Sequence, residues 1–285
     1  MQPGDHLRRE QRDAWSAAAA AWQEGAETPL PMDPVTECLL AEARIGPGMR
    51  VLDLGSGAGN PAFFIAEKVG ASGSVLGLDL SPAMVEGTSE RARRRGLGNA
   101  TFRVIERETE LDVPSASFDA ATARCCLMYP PDPTAALAAL SAAVRPGGRI
   151  AFSTWAAWDR CPSHRLLAEV VGEQVTLTAE EGRGLALPFT ALPTPETHRA
   201  ACETAGLVEV VTHEVDVIIE AESAEAFWQS RVARSGPLRS ALRAHPISAR
   251  EAVGAAFTAR LRELFGPGSV HFTDLILVTA GTVPA

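Results

Sequence analysis

The fold of this chain is decided by the stretch Val51-Leu52-Asp53-Leu54-Gly55-Ser56-Gly57-Ala58-Gly59. Its first four residues are mostly apolar and too few for a helix, glycine then recurs at alternate positions, and a helical pattern follows over 61–69. This order predicts a buried parallel strand, a tight turn and a helix N-terminus, which together bring bare backbone against a ligand. Glycine suits such a turn because it tolerates positive φ and has no Cβ to hold the ligand away.

The segment around this turn alternates between strand and helix patterns. Strands are predicted at 50–54, 74–80, 101–106, 118–124 and 149–155, and helices at 61–69, 82–95 and 133–144. Such alternation is typical of an α/β fold in which a doubly wound, mostly parallel sheet carries helices on both faces. Ser81 is the predicted N-cap of the helix at 82–95, with Pro82 at its first position.

The regions on either side of this core are predicted to be mainly helical. Helices at 6–24 and about 34–43 flank a proline-rich break at 28–34, and we treat 1–45 as an N-terminal helical cap. After 155 the predicted helices lie near 163–174, 194–205, 222–233 and 247–265, and the predicted strands at 208–217 and 270–279. These helices are more than a minimal fold of this kind requires. We therefore expect 156–285 to complete the core and to add a helical lid over the ligand edge of the sheet.

Composition and net charge limit the kinds of partner that the protein is expected to bind. The 285 residues are 46% hydrophobic and carry a net charge of −9, which permits a large core and disfavours a nucleic-acid substrate. No apolar run approaches the roughly 18 residues of a membrane span, and no signal peptide is evident, so a cytoplasmic location is expected. The five cysteines lack metal-ligand spacing, and no metal site is predicted. The expected partner is a small molecule, and the protein is expected to be a monomer or a homodimer.

Polar residues stand where the first two predicted strands end, which is the ligand edge of an open α/β sheet. The N–H groups of the turn at 55–59 are expected to face the cleft, and Asp53 to reach a cationic amine directly or through water. At the end of the second strand, Asp79 is placed to accept both hydroxyls of a ribose, while Leu80 and Met84 flank an adenine. Asp79 has the alternative role of capping the helix that follows it.

The third and fourth strand ends extend the same pattern. Glu106 is placed to accept from an exocyclic amine and the backbone N–H of Arg107 to donate to a ring nitrogen. Alone, Glu106 could be a solvated loop charge, and the glycine run could be any tight turn between a strand and a helix. The order of the signals at successive strand ends favours an adenosine site. After the fourth strand come Arg124 and Tyr129, nearest the expected reaction site.

Over 49–155 the chain resembles the class I S-adenosylmethionine (SAM)-dependent methyltransferases, in the small-molecule branch that includes ubiquinone and menaquinone C-methyltransferases. The resemblance is carried by VLDLGSGAG, VLGLDLSPAMV, SFDAATAR, LMYPPDP and VRPGGRIAFSTW. It implies a Rossmann-like sheet of seven strands, the last antiparallel and inserted beside the sixth, with 46–155 as the SAM-binding core and S-adenosylhomocysteine as product. The residues assigned to the cofactor are Asp53, Gly55, Ser56, Gly57, Gly59, Asp79, Leu80, Met84, Glu106, Arg107 and Arg124.

Methyl transfer demands little chemistry from the protein. The sulfonium is already activated, so an in-line displacement needs mainly proximity, orientation and exclusion of water. A general base matters when the acceptor is a hydroxyl. His164, just after the fifth strand and its loop, is the candidate base, with a surface or helix-capping role as the alternative. Tyr129, the only tyrosine, is the candidate for orienting an acceptor or packing below it.

The predicted function is transfer of the SAM methyl group to oxygen, nitrogen or carbon of a small apolar or aromatic metabolite. The alternative is a protein of the same fold that binds SAM or its product and catalyses a cyclisation or isomerisation. A nicotinamide-dependent oxidoreductase is disfavoured because the glycines follow G-x-G-x-G rather than G-x-G-x-x-G.

Overall fold

The computed structural model describes residues 4–25 and 33–285 and places seven strands in one sheet. The strand order is β3-β2-β1-β4-β5-β7-β6. Strands β1 to β5 pair in parallel, whereas β7 pairs antiparallel with both β5 and β6. The strands are β1 (Arg50–Leu54), β2 (Ser74–Asp79), β3 (Ala100–Val104), β4 (Phe118–Arg124), β5 (Val144–Trp155), β6 (Val208–Ala221) and β7 (Val270–Thr282). The predicted fold, with its last strand antiparallel and inserted beside the sixth, is confirmed.

The helices follow the predicted positions closely. They are α1 (Asp5–Gly25), α2 (Pro34–Glu42), α3 (Ala62–Val69), α4 (Pro82–Arg94), α5 (Pro133–Ala143), α6 (Pro162–Gln174), α7 (Ala179–Ala186), α8 (Pro195–Thr204), α9 (Ala224–Arg234), α10 (Gly236–Leu242) and α11 (Ile247–Phe265). Sequence patterning did not predict α7 or α10. Most of the proline-rich break at 28–34 lies outside the described residues. Over 4–25 and 33–285, no helix combines the length and apolarity needed to cross a membrane.

Side-chain caps fix where several helices begin, among them α2, α4 and α5. Asp33, Ser81 and Asp132 each accept the backbone N–H three residues later, at 3.0, 3.2 and 2.9 Å. A proline follows each cap at the first helical position, where the missing N–H has no intrahelical partner to lose. The predicted cap at Ser81 is confirmed, and it sets α4 directly after the carboxyl end of β2.

Four apolar clusters form the core of the described residues, and the smallest of them surrounds Phe189 at the end of β5. One sheet face buries Leu137 of α5 and Phe152 of β5, and the other buries Ile65 of α3 against Val51 of β1. A third cluster joins α6, α9, α10 and α11 to the last residues of β6 and the first residues of β7, with Phe257 at its centre. Helices α9, α10 and α11 thus lie in the connection between β6 and β7 and carry a core of their own.

Candidate active site

The glycine turn after β1 contains three residues with positive φ: Gly55 at 72°, Gly57 at 49° and Gly59 at 94°. A Cβ on Gly55 would lie 2.5 Å from Cys126 Sγ, and one on Gly59 would lie 2.6 Å from the Phe63 ring. At Gly57, a Cβ would meet only the carbonyl oxygen of Gly55, at 3.8 Å. Gly57 is therefore the point of the turn that adjoins open space.

The N–H groups of this turn bond within the protein. Those of Gly55 and Ser56 donate to the carbonyl of Leu78, at 2.7 and 3.0 Å, and that of Gly59 donates to the carbonyl of Ser56 at 2.8 Å. The Gly57 N–H donates to Asp79 Oδ2 at 2.9 Å. The expectation that these N–H groups face the cleft is wrong, because the turn folds over the end of neighbouring strand β2.

Asp79 joins the glycine turn to the start of α4. Its Oδ2 accepts from Gly57 and its Oδ1 accepts the Ser81 N–H at 2.8 Å. Burial raises the pKa of Asp79, and the N–H groups of Ser81, Gly57 and Leu80 oppose that shift. Each carboxylate oxygen has a second lone pair, so the helix contact leaves acceptor capacity for a ligand hydroxyl.

Asp53 and Ser56 carry buried oxygens that have no hydrogen-bond partner among the described residues. Asp53 is fully buried, and its Oδ1 accepts from Thr122 Oγ1 at 2.6 Å, while its Oδ2 and Ser56 Oγ stay unpaired. Burial raises the pKa of Asp53 to about 7, with Thr122 opposing that shift. Orphaned buried oxygens are costly unless a ligand pairs with them, so this end of the site fits the cationic amino-acid half of SAM.

Leu80 and Met84 are the apolar residues predicted to flank an adenine, and that role remains a prediction. Leu80 is half-buried and packs against the core under α5, and Met84 is buried at the start of α4. The Met84 carbonyl accepts from Gln23 Nε2 of α1 at 3.3 Å. Helix α1 therefore lies over this side of the site.

Glu106 and Arg107 lie after β3, and their side chains pair with the N-terminal helix. Glu106 is largely exposed and lies 2.9 Å from Arg12. Arg107 pairs with Asp5 at 3.2 Å and with Glu110 at 3.1 Å. Their assignment to the adenine remains a prediction.

The buried carboxylate of this loop is Glu108, which sequence analysis missed. Its side chain is 3% exposed and it accepts from Arg8 Nε at 2.8 Å. Its other oxygen, Oε1, has no partner among residues 4–25 and 33–285. Glutamates at 106, 108 and 110 gave no sequence signal as to which of them is buried.

Arg91 of α4 supports the glycine turn from behind. Its Nη1 donates to the carbonyl of Ala58, and its guanidinium carbon lies 5.1 Å from the centre of the Phe63 ring. Gln23 of α1 accepts from Arg91 at 3.1 Å and donates to Thr88 at 3.0 Å, and Thr88 donates to the Gly57 carbonyl at 2.6 Å. Although Arg91 lies in the last turn of α4, the structure buries it.

Arg124, at the end of β4, lies between two carboxylates. Its Nη2 is 3.1 Å from Asp33, the cap of α2. Burial lowers the pKa of its guanidinium, but Cys125, Asp33 and Asp53 together outweigh that effect and raise it. Its buried Nε has no partner among the described residues. This N–H suits an acceptor atom of a ligand in the same cleft, as the predicted cofactor contact requires.

Tyr129 follows β4 and packs under α1. Its ring meets Trp15 edge to face with the ring centres 5.2 Å apart, and its carbonyl accepts from Gln11 at 2.7 Å. Burial raises the pKa of the Tyr129 phenol. The hydroxyl therefore stays protonated at neutral pH and is suited to orienting a substrate rather than to removing a proton.

Aromatic rings gather where β5 ends. The His164 ring lies 4.5 Å from Trp155 and 4.9 Å from Phe189, and Phe189 stacks on Trp158 at 4.2 Å. Trp155 is the last residue of β5. The cluster therefore lies at the carboxyl edge of the sheet, two strands from the glycine turn.

The hydrogen bonds of His164 fix its tautomer. Arg231 Nη1 lies 3.2 Å from Nε2, and because arginine only donates, Nε2 accepts. Nδ1 then carries the proton and donates to Asp274 Oδ2 at 2.7 Å. Burial and the charge of Arg231 lower the pKa of His164 to about 4, so the imidazole is neutral and weakly basic.

Arg231 and Asp274 were not found by sequence reasoning. Asp274 interrupts the apolar run of β7 and is fully buried, and a carboxylate in such a run is a signal that a buried partner exists. Arg231 is a half-buried residue on α9, and its neighbours in the sequence do not mark it as a residue with a buried partner.

The sheet order, the glycine turn and the acids at the carboxyl ends of β1 and β2 are those of a class I methyltransferase. The chain matches the methyltransferase-domain family over residues 45–205, more than half its length, and belongs to that family. The predicted resemblance to SAM-dependent methyltransferases, with SAM as cofactor, is confirmed.

Individual relatives extend the match. Nocamycin O-methyltransferase of Saccharothrix syringae is 33% identical over 203 residues, which cover 68% of this chain and 71% of that protein. Aklanonic acid methyltransferase of Streptomyces sp. (strain C5) is 41% identical over 107 residues, 38% of this chain and 48% of that protein. The match thus spans about half the length of the latter. The structure of Haemonchus contortus phosphoethanolamine N-methyltransferase 2 with SAM shares the fold, with a TM-score of 0.61 at 16% identity, over 96% of this chain and 60% of that one.

Proposed function

We propose that this protein transfers the methyl group of SAM to oxygen, nitrogen or carbon of a small apolar or aromatic molecule. The observation that carries the proposal is the cluster of Trp155, Trp158, Phe189 and His164 at the same sheet edge as the orphaned Asp53 oxygen. The aromatic cluster suits a flat apolar acceptor, and the orphaned Asp53 oxygen suits a cationic cofactor. The printed names of the relatives, nocamycin and aklanonic acid methyltransferases, support a small-molecule acceptor.

On the cofactor side, SAM when bound supplies a methyl carbon already activated by its sulfonium. Asp53 and Ser56 would bind its amino-acid half through their orphaned oxygens, and Asp79 would accept the ribose hydroxyls. The adenine would lie between Leu80 and Met84, within reach of the loop at 106–107. Helix α1 would exclude water from this half, because it already bonds to Met84 and Thr88.

On the acceptor side, α9 to α11 would serve as the lid predicted for 156–285, and 1–45 as the cap. Tyr129 would orient the acceptor from the β4 side. The one lone pair of the His164 ring, on Nε2, already accepts from Arg231 at 3.2 Å. His164 would therefore act as a base only after giving up that bond, and its low pKa restricts this role to an acidic acceptor. The absence of nucleic-acid binding, a monomer or homodimer and a cytoplasmic location remain predictions.

The test is incubation of the purified chain with methyl-labelled SAM and a panel of phenols, aromatic acids, quinones and amines. Label on one of these acceptors supports the proposal. SAM binding without transfer to any of them, but with turnover of a cyclisable substrate, would instead support the cyclase alternative. Calorimetry with SAM and with NAD(H) separates both from an oxidoreductase.

A further inference from the structure

Arg231 brings a positive charge into the rim of the aromatic cluster. Its Nη1 bonds to His164 Nε2 at 3.2 Å and its Nη2 donates to Ser163 Oγ at 2.9 Å. Its guanidinium carbon lies 4.9 Å from the centre of the Phe227 ring. Within the described part of the chain, Arg231 forms no ion pair with a carboxylate, so both of its hydrogen-bonding partners are neutral.

The nearest carboxylate, Asp274, is occupied by other donors. Its Oδ1 accepts the Ser163 N–H at 3.0 Å, and its Oδ2 accepts from the Ser163 hydroxyl and from His164 Nδ1. Asp274 is therefore linked to Arg231 by hydrogen bonds only through Ser163 and His164, while its charge raises the pKa of the guanidinium across space. Burial lowers the pKa of Arg231 to about 10, so the guanidinium remains charged at neutral pH.

A half-buried guanidinium with neutral partners is suited to an incoming anion. It has five N–H donors in a planar fork that matches a carboxylate, and a charged hydrogen bond of this kind is among the strongest in proteins. His164 and Ser163 hold two of these donors and thereby fix the orientation of the fork. The donors not held by these two residues are available to a ligand.

The fork adjoins an aromatic surface. The His164 ring, which holds Arg231, packs at 4.5 Å from Trp155 and at 4.9 Å from Phe189. A flat ring against these residues would direct a carboxylate on its edge toward Arg231. Because His164 is a weak base, an acceptor that is already ionised at neutral pH fits better than a phenol or an alcohol, which must first lose a proton.

Building on the proposed function, we propose that the acceptor is an aromatic carboxylic acid and that Arg231 binds its carboxylate. In the reaction a lone pair of a carboxylate oxygen forms the new bond to the methyl carbon. The pair of the broken C–S bond stays on sulfur, and the products are a neutral ester and a neutral thioether. No proton is transferred, and Arg231 loses its anionic partner when the ester forms, which favours product release.

The test measures binding of naphthoate, naphthamide and naphthol by calorimetry, with the full chain and without SAM. We expect naphthoate to bind about tenfold or more tightly than the two neutral analogues, and Arg231→Gln to remove that preference. Arg234→Gln, an exposed arginine one turn along the same helix, is the matched control and is expected to keep it. Arg231→Lys is expected to retain part of it, because the charge stays and the fork is lost.

Equal affinity of the wild-type chain for naphthoate and naphthamide would overturn the proposal, whether or not the Arg231 variants fold. So would a preference that survives Arg231→Gln. The proposed function is tested separately by the labelling assay. If no label moves from SAM to any acceptor, the methyltransferase activity is refuted, whereas carboxylate binding by Arg231 is decided by the calorimetry alone.

Discussion

Gly55→Ala and Gly57→Ala offer a paired test of the glycine turn. Both positions have positive φ, 72° and 49°, so alanine costs roughly 1–2 kcal/mol of folding free energy at either one. At Gly55 the new Cβ also lies 2.5 Å from Cys126 Sγ and 2.6 Å from its Cβ, and such overpacking adds about 1–3 kcal/mol. Gly55→Ala is therefore expected to lower the free energy of unfolding by about 2–5 kcal/mol, against about 1–2 for Gly57→Ala.

If the open space at Gly57 receives the cofactor, Gly57→Ala is the more damaging of the two variants for ligand binding, although it is the less damaging for stability. We expect Gly57→Ala to weaken S-adenosylhomocysteine binding by more than about tenfold, or about 1.4 kcal/mol. Urea unfolding gives the stabilities and calorimetry gives the affinities. Wild-type affinity in Gly57→Ala would refute the placement of the cofactor at this turn.

A double-mutant cycle isolates the contact with Cys126. Cys126→Gly removes both atoms that the methyl group introduced by Gly55→Ala would strike, so the two substitutions should couple favourably by about 1–3 kcal/mol. Strictly additive unfolding energies would show that the cost at Gly55 comes from backbone strain alone.

Three further predictions concern the acidic groups. Asp79→Ala is expected to weaken SAM binding by about 1–3 kcal/mol through loss of a charged hydrogen bond, whereas Glu110→Ala, on the exposed loop, should leave it unchanged. SAM affinity should fall as the pH drops below about 7, because the ionised form of Asp53, whose pKa is raised to about 7, is the form that pairs with a cation, and Asp53→Asn should remove this dependence. Glu108→Ala should cost about 1.5–3 kcal/mol of stability, since it removes a buried charged hydrogen bond of 2.8 Å to Arg8, which keeps its contact with Asp5, while breaking the Arg12–Glu106 pair, whose glutamate is largely exposed, should cost less than about 1 kcal/mol.

Calorimetry decides the first two of these predictions and urea unfolding the third. Unchanged SAM affinity in Asp79→Ala would remove Asp79 from the ribose contact. A flat affinity between pH 5.5 and 7, the range in which the ligand's amino group (with an ordinary pKa of about 8) stays protonated, would show that Asp53 does not face the cation. Equal losses of stability in Glu108→Ala and Arg12→Ala would mean that burial does not distinguish the two ion pairs.

Much of the fold could be predicted because its signals are local. Each of β1 to β5 shows its strand pattern within a few residues, and the caps at Asp33, Ser81 and Asp132 stand one residue before a proline. The position of β7 between β5 and β6 came from the family resemblance rather than from any local pattern. Helix α7 was missed because it is only eight residues long and contains two glycines, Gly182 and Gly184, which disfavour a helix.

The site was predictable to the extent that strand ends position residues. Asp53 and Asp79 follow from the strands they terminate, and the structure buries both acids at one edge of the sheet. Arg231 and Asp274 are linked through Ser163 and His164, and these residues come from three segments far apart in the sequence. Such residues form no motif of fixed spacing that sequence analysis could recognise. The turn N–H groups were misplaced for a related reason: their partners, Leu78 and Asp79, belong to another strand.

The strand order has a consequence for how the chain folds during synthesis. Strands β1 to β5 can pair as they emerge, since each neighbours one already made. The outer edge of β5 then stays open while α6 to α11 and β6 are synthesised, because its partner is β7. An unpaired strand edge is a site of aggregation. Premature pairing of β6 with β5 is the misfolded state that this topology has to avoid, and β7, which separates them, determines when the native sheet closes.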